Sequence, residues 1–191
     1  DALVYAHERA LDEAGAPLRV VHRDVSPSNI LIDPSGRVCL VDFGVARVLE
    51  GEGKTRTGMV MGTPEYMPPE QARGRSELVD GRADLWAVGA MIYRLLSGRY
   101  PHEAQTANEV LLLAMTEPAP KLASAVADAS PKLCTLVDKA MAFDKVDRWA
   151  DARAMQAATR EALEEAKSRA TATTAVTDLA THLPDDMPRN V

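Results

Sequence analysis

Apolar positions along the 191-residue chain keep two different periods. Over residues 2–14, Leu3, Ala6, His7, Ala10 and Leu11 recur at helical spacing, and Gly15 and Pro17 close the segment. Two short apolar runs follow, at 30–32 and 38–41, separated by Asp33-Pro34-Ser35-Gly36. That arrangement predicts a β-hairpin with a Pro/Gly turn. Helical spacing returns over 81–97, where Leu85, Val88, Gly89, Ile92, Leu95 and Leu96 are apolar and Gly98 stops the run. This segment is apolar around much of its circumference, which predicts a central helix. Further helices are predicted at 106–116, with Val110, Leu111, Leu113, Ala114 and Met115 apolar, and at 131–142, with Ser130 as cap and Pro131 in the first turn. A last amphipathic helix is predicted at 151–168, through Met155, Thr159, Ala162, Leu163 and Ala166. The fold class is therefore α+β, mainly helical, with one small hairpin. Residues 1–168 form the expected domain. From 169 to 191 the chain is rich in Thr and Ala with too little apolar content to pack, which predicts a disordered tail or linker.

The hairpin changes the picture because of what it brings together. It places Asn29 and Asp42 side by side at its open end, one amide oxygen and one carboxylate facing the same spot. Two hard oxygen donors suit a cation such as Mg²⁺. Asp24, in the loop just before, would stand beside them, open to take a proton. Composition adds limits. The net charge of −6 offers no broad basic surface for nucleic acid. Cys39 and Cys134 form no Cys-x-x-Cys, and Cys39, inside an apolar run, is expected as a buried free thiol. The four histidines lack metal-ligand spacing, no apolar run reaches the length of a membrane span, and no signal peptide opens the chain. A soluble, cytoplasmic domain fits this composition.

The order His22-Arg23-Asp24, Asn29, Asp42-Phe43-Gly44 resembles the catalytic loop and magnesium loop of the bacterial-type serine/threonine protein kinases. Residues 61–70, Met-Gly-Thr-Pro-Glu-Tyr-Met-Pro-Pro-Glu, resemble the end of the kinase activation segment, and Asp84-Leu-Trp-Ala-Val-Gly89 resembles the Asp-x-Trp-x-x-Gly of its central helix. The resemblance implies transfer of the γ-phosphate of ATP to Ser or Thr hydroxyls of a protein substrate. It makes Asp24 the base, gives Mg²⁺ to Asn29 and Asp42, and puts Leu31 under the adenine. It implies a Thr63 hydroxyl bonded to Asp24, an Arg23 that meets a phosphate on the activation segment, and structural roles for His22, Phe43 and Gly44. It also implies that Asp84 accepts backbone N–H bonds from the catalytic loop and that Arg148 pairs with Glu70. Thr55 and Thr57, in the polar run 50–58, become candidate phosphorylation sites.

The sequence departs from the family at three places. Ser26 stands where most Ser/Thr kinases carry a lysine that touches the transferred phosphate, and Lys54 or Arg56 could supply the missing charge from the run 50–58, which its glycines and mixed charges predict as a mobile loop. His102 stands where the family often has Phe. No Gly-x-Gly-x-x-Gly precedes His22, so the resemblance covers roughly residues 2–166, the carboxy-terminal lobe, and the fragment alone is expected to transfer phosphate poorly. A pseudokinase or interaction module is the alternative. A small-molecule phosphotransferase is weakened by residues 63–70, which build a peptide platform in protein kinases.

Overall fold

The computed structural model describes residues 1–43 and 62–181. Among these, the chain is mainly helical with one two-stranded antiparallel sheet. Helix α1 (Ala2–Val4) widens into a π-helical turn over Tyr5–Arg9. Strands β1 (Ile30–Ile32) and β2 (Val38–Leu40) follow, with Ile30 opposite Leu40, Leu31 opposite Cys39 and Ile32 opposite Val38. Then come α2 (Pro69–Ala72), α3 (Arg82–Ser97), α4 (Ala107–Thr116), α5 (Leu122–Ala125), α6 (Pro131–Ala140) and α7 (Ala152–Thr181).

Helix α3 is the axis of the molecule, as its apolar circumference predicts. Leu85, Trp86, Ala87, Ala90, Met91 and Tyr93 are all buried. Its Trp86 side packs with Val25, Tyr66, Leu122, Val137 and Met141. Its Leu85 side packs with Val4, Leu136, Ala152, Met155 and Ala162, so α1, α6 and α7 meet there. Helix α6 comes so close that a Cβ at Gly89 would stand 2.8 Å from the Ala140 methyl. A smaller cluster, Met67, Ala72, Leu111 and Ala114, joins α2 to α4. Fully burying each aliphatic side chain contributes about 1.5–3 kcal/mol, so the three clusters supply most of the cohesion.

Side chains fix the element ends. Thr106 and Glu109 form a reciprocal capping box on α4. Ser130 accepts from the Leu133 N–H at the start of α6 and donates to Glu165 at 2.6 Å, tying α6 to α7. That bond from Ser130 holds the Glu165 carboxyl below its ordinary range. Asp80 sits between Arg82 (2.6 Å) and Lys145 (3.1 Å), which clamps the entry of α3 to the turn Lys145–Asp147. Burial pushes the Asp80 carboxyl up, but hydrogen bonds from Arg82 and Lys145 outweigh it and hold it far below the usual carboxylate range.

Five expectations need correction. The first helix ends at Arg9, not residue 14. The Asp12 carboxylate accepts from the Ala14 and Ala16 N–H groups, a local alternative to helical bonding, and Leu11 bridges to Pro17 instead. Cys39 is exposed, not buried. It lies in a two-stranded ribbon with little packed over it, where Leu31, Ile32 and Val38 are 56%, 69% and 62% exposed. The buried stripe of α7 runs through Ala152, Met155 and Ala162, while Thr159, Leu163 and Ala166 face out. The last turn of α3, with Leu95 and Leu96, emerges into solvent. Helix α7 also runs on past residue 168 to Thr181, and residues 182–191 lie outside the described residues.

Candidate active site

The loop 22–29 is polar, yet its anchor is deep in the protein. Asp84, in the first turn of α3, has a fully buried carboxylate. Its Oδ2 accepts from the His22 N–H at 2.9 Å and from His7 Nε2 at 2.8 Å, and its Oδ1 accepts from the Arg23 N–H at 2.8 Å. A buried charge is tolerable only with such partners. The His7 ring reaches Asp84 across Gly81, where a Cβ would stand 2.7 Å from Nδ1. No residue with a side chain fits there without moving that ring.

His22 carries the loop to the second strand. Its ring is 1% exposed, Nδ1 accepts from the Asp24 N–H at 3.3 Å, and Nε2 donates to the Val41 carbonyl at 2.8 Å. This set of partners fixes the neutral tautomer protonated on Nε2. Phe43 packs on the same ring, centroids 4.7 Å apart. The Val41 N–H donates to the Asn29 carbonyl at 2.9 Å, so the two ends of the hairpin do meet. Of the three non-glycine residues with left-handed backbone among those described, two are Arg23 (φ 69°) and Asp42 (φ 58°). Such a conformation costs about 1–3 kcal/mol and persists only where the surroundings enforce it.

Asp24 is held from both sides. Oδ1 accepts from the Thr63 N–H (3.0 Å) and the Thr63 hydroxyl (3.1 Å). Oδ2 accepts from Asn29 Nδ2 at 3.0 Å, and the same Nδ2 donates to the Asp24 carbonyl at 2.8 Å. A carboxylate has about four acceptor positions. Oδ1 has both of its positions filled, and among the described residues Oδ2 keeps one open. The two bonds from Nδ2 also orient Asn29, leaving its Oδ1 oxygen as an acceptor on the opposite side. The Asp42 carboxylate is exposed at the end of the hairpin. Among the described residues no three His, Cys, Asp or Glu side chains converge as a metal cage. One amide oxygen and one carboxylate, completed by phosphate oxygens and water, is nevertheless a set that Mg²⁺ accepts.

The other candidates fall at varied distances from this centre. Ser26 is 1% exposed, with its hydroxyl on that of Ser28 at 2.7 Å. Leu31 is exposed on β1. Gly44, Lys54, Thr55, Arg56 and Thr57 lie outside the described residues. Glu70 and Arg148 form a bidentate pair, Oε1 to Nη1 and Oε2 to Nη2, both 2.8 Å, with both residues buried. Arg148 also donates to the carbonyls of Ala142 and Phe143, so α2 is bolted to the loop after α6. Sequence reasoning did not single out His7, Gly81 or Gln71 as site residues. Gly81 carries no motif beyond its type, and Tyr-Ala-His at 5–7 resembles only the family's helix before this loop, with no role marked for His7. Gln71 donates through Nε2 to the Arg23 carbonyl at 2.6 Å, a side chain-to-backbone bond that no spacing rule marks.

Residues 1–161 match the family described as protein kinase domain. The chain is 40% identical over 166 residues to the tyrosine-protein kinase MasK of Myxococcus xanthus, covering 85% of this chain and 25% of that protein. It is 37% identical over 146 residues to the serine/threonine-protein kinase PknL of Mycobacterium tuberculosis, covering 76% and 36%. It is 38% identical over 170 residues to the serine/threonine-protein kinase Pkn1 of Myxococcus xanthus, covering 86% and 23%. The chain thus spans about a quarter to a third of the length of these relatives.

Proposed function

The chain belongs to the protein kinase family, of the bacterial serine/threonine type, and on that premise we propose that it forms the carboxy-terminal lobe of an enzyme that phosphorylates Ser or Thr hydroxyls of proteins. The observation that carries this reading is the position on Asp24 Oδ2 left open among the described residues, beside an Asn29 whose Nδ2 is spent on Asp24 and whose amide oxygen is left as an acceptor. A substrate hydroxyl donates its hydrogen bond to that position. As its oxygen bonds to the γ-phosphorus of ATP, its proton passes to Oδ2, and the bond to the bridging oxygen breaks to release ADP. The bonds from Thr63 and Asn29 keep the carboxylate from turning during the transfer. Mg²⁺, bound through Asn29 and Asp42, would neutralise phosphate charge. Leu31, exposed on β1, offers an apolar floor for adenine.

The remaining nucleotide contacts, a glycine-rich loop and a strand lysine, are proposed to come from residues outside this sequence. The first test incubates the 191-residue chain, and a longer protein that joins it to an amino-terminal kinase lobe, with labelled ATP and a generic acceptor. The expected result is phosphoserine and phosphothreonine from the longer protein and little transfer from the chain alone. Phosphotyrosine as the main product would reassign the acceptor, toward the activity that the name of one relative carries. No transfer and no nucleotide binding by the longer protein would favour an interaction module.

A further inference from the structure

We propose that Gln71 is a positioning residue for the catalytic base, passing the position of α2 to Asp24 through the Arg23 peptide. The inference rests on the proposed function for its kinetic consequence, but its structural part stands on this chain alone. Arg23 has a left-handed backbone, which a residue with a side chain holds only under constraint. Its peptide groups are gripped from two directions. The N–H on one side is taken by Asp84 at 2.8 Å, and the carbonyl on the other is taken by Gln71 Nε2 at 2.6 Å. The carbonyl belongs to the peptide bond whose nitrogen is that of Asp24. Rotation of that peptide would swing the Asp24 side chain away from Thr63.

Gln71 is suited to transmit position because it cannot shift by itself. Its neighbour Glu70 is locked to Arg148 by two hydrogen bonds of 2.8 Å. The donor to Arg23 must be Nε2, since a carbonyl only accepts, and this turns Oε1 to the other side. Oε1 is buried with no hydrogen-bond partner among the described residues. An amide held with its oxygen unsatisfied shows that the Arg23 contact decides its orientation. Gly62 lies between Gln71 and the base: a Cβ there would stand 3.5 Å from Gln71 Nε2 and 3.6 Å from Asp24 Oδ1. The end of the segment 62–71 therefore meets Asp24 twice, through Thr63 on its carboxylate and through Gln71 on its peptide.

The test uses Gln71→Met, which keeps length and packing but removes the donor, and Gln71→Glu, which replaces the donor by an acceptor when ionised. In the 191-residue chain, amide hydrogen exchange over residues 22–29 should speed by about tenfold in Gln71→Met, with exchange in α6 unchanged. In the longer protein, kcat should fall on the order of ten- to a hundredfold with KM for ATP held, because misplacing the base costs rate and not nucleotide binding. Gln71→Glu should regain activity as pH falls, since a protonated carboxyl can again donate to the Arg23 carbonyl. Unchanged exchange over 22–29 in Gln71→Met overturns the proposal whether or not the protein transfers phosphate. Faster exchange with unchanged kcat overturns the link to the base. A parent protein that transfers no phosphate overturns the proposed function, and the exchange result alone then decides the positioning role.

Discussion

The loop 22–29 and the hairpin 30–40 are consecutive in sequence and opposite in character. The loop is polar, and its His22, Val25 and Ser26 are among the most buried residues. The hairpin is apolar, and Leu31, Ile32, Val38 and Cys39 are exposed. Burial here follows distance from α3 and not hydropathy. The loop is attached to α3 by hydrogen bonds from its own backbone to Asp84, and those bonds allow polar groups to be interior. The hairpin is held by its own ladder and by His22 and Asn29 at its open end.

The largest effect should come from removing the anchor. Asp84→Ala leaves the His22 N–H, the Arg23 N–H and the His7 ring without their acceptor. Unsatisfied buried donors cost about 1–3 kcal/mol each, so a loss of roughly 4 kcal/mol is expected in urea unfolding, with fast exchange over 22–29. A loss under 1 kcal/mol would mean that the loop is held by something other than α3. Gly81→Ala attacks the same anchor from the far side. Its methyl would displace the His7 ring from Asp84, with an expected cost of about 1–3 kcal/mol. In a His7→Ala background the same Gly81→Ala change should cost much less, because the three atoms nearest the new methyl all belong to the His7 ring.

His102 sharpens the comparison as a buried polar group without an anchor. It stacks on Trp86, and its Nε2 has no hydrogen-bond partner among the described residues. Burial pushes its pKa below the ordinary 6.5, against a weaker pull upward from Glu117. The unfolded chain therefore binds a proton at a higher pH than the folded chain does. Stability linked to His102 is complete above about pH 6.5 and declines as pH falls below that value. His102→Phe should flatten this part of a melting-temperature profile, and an unchanged slope would place the acid sensitivity elsewhere. The smallest effect belongs to the hairpin. Cys39→Ser should change stability by no more than about 0.5 kcal/mol and should leave β1 and β2 paired. Labelling of Cys39 by a thiol reagent in the native protein, ahead of Cys134, reports the same exposure.

These contrasts also separate what the residues announced from what they concealed. The central helix was legible, because an apolar circumference has few other uses than burial. The hairpin was legible from its turn residues, and its two ends meet where the Val41 N–H donates to the Asn29 carbonyl. The contacts of Asp24 with Thr63, of Asp84 with the loop backbone, and of Glu70 with Arg148 lie where the family resemblance placed them. Exposure of Cys39 was not legible, since an apolar run reads alike whether or not another layer covers it. The early end of the first helix was hidden for a different reason. The Asp12 carboxylate competes for backbone N–H groups at a range that periodicity ignores. Gln71 was invisible because its partner is a main-chain carbonyl, which every residue has.

The proposed division of labour between two carboxylates a short hairpin apart is the point most open to direct test. Nucleotide affinity and single-turnover phosphate transfer should be measured for Asp24→Asn and Asp42→Asn in a longer protein that joins this chain to an amino-terminal kinase lobe. Asp24→Asn should keep Mg²⁺-dependent nucleotide affinity near that of the parent while transfer falls by about two to four orders of magnitude, the usual weight of a positioned base. Asp42→Asn should weaken Mg²⁺-nucleotide binding itself. Equal loss of affinity in both variants, or transfer by Asp24→Asn at the parent rate, would contradict the assignment of Asp24 as the base.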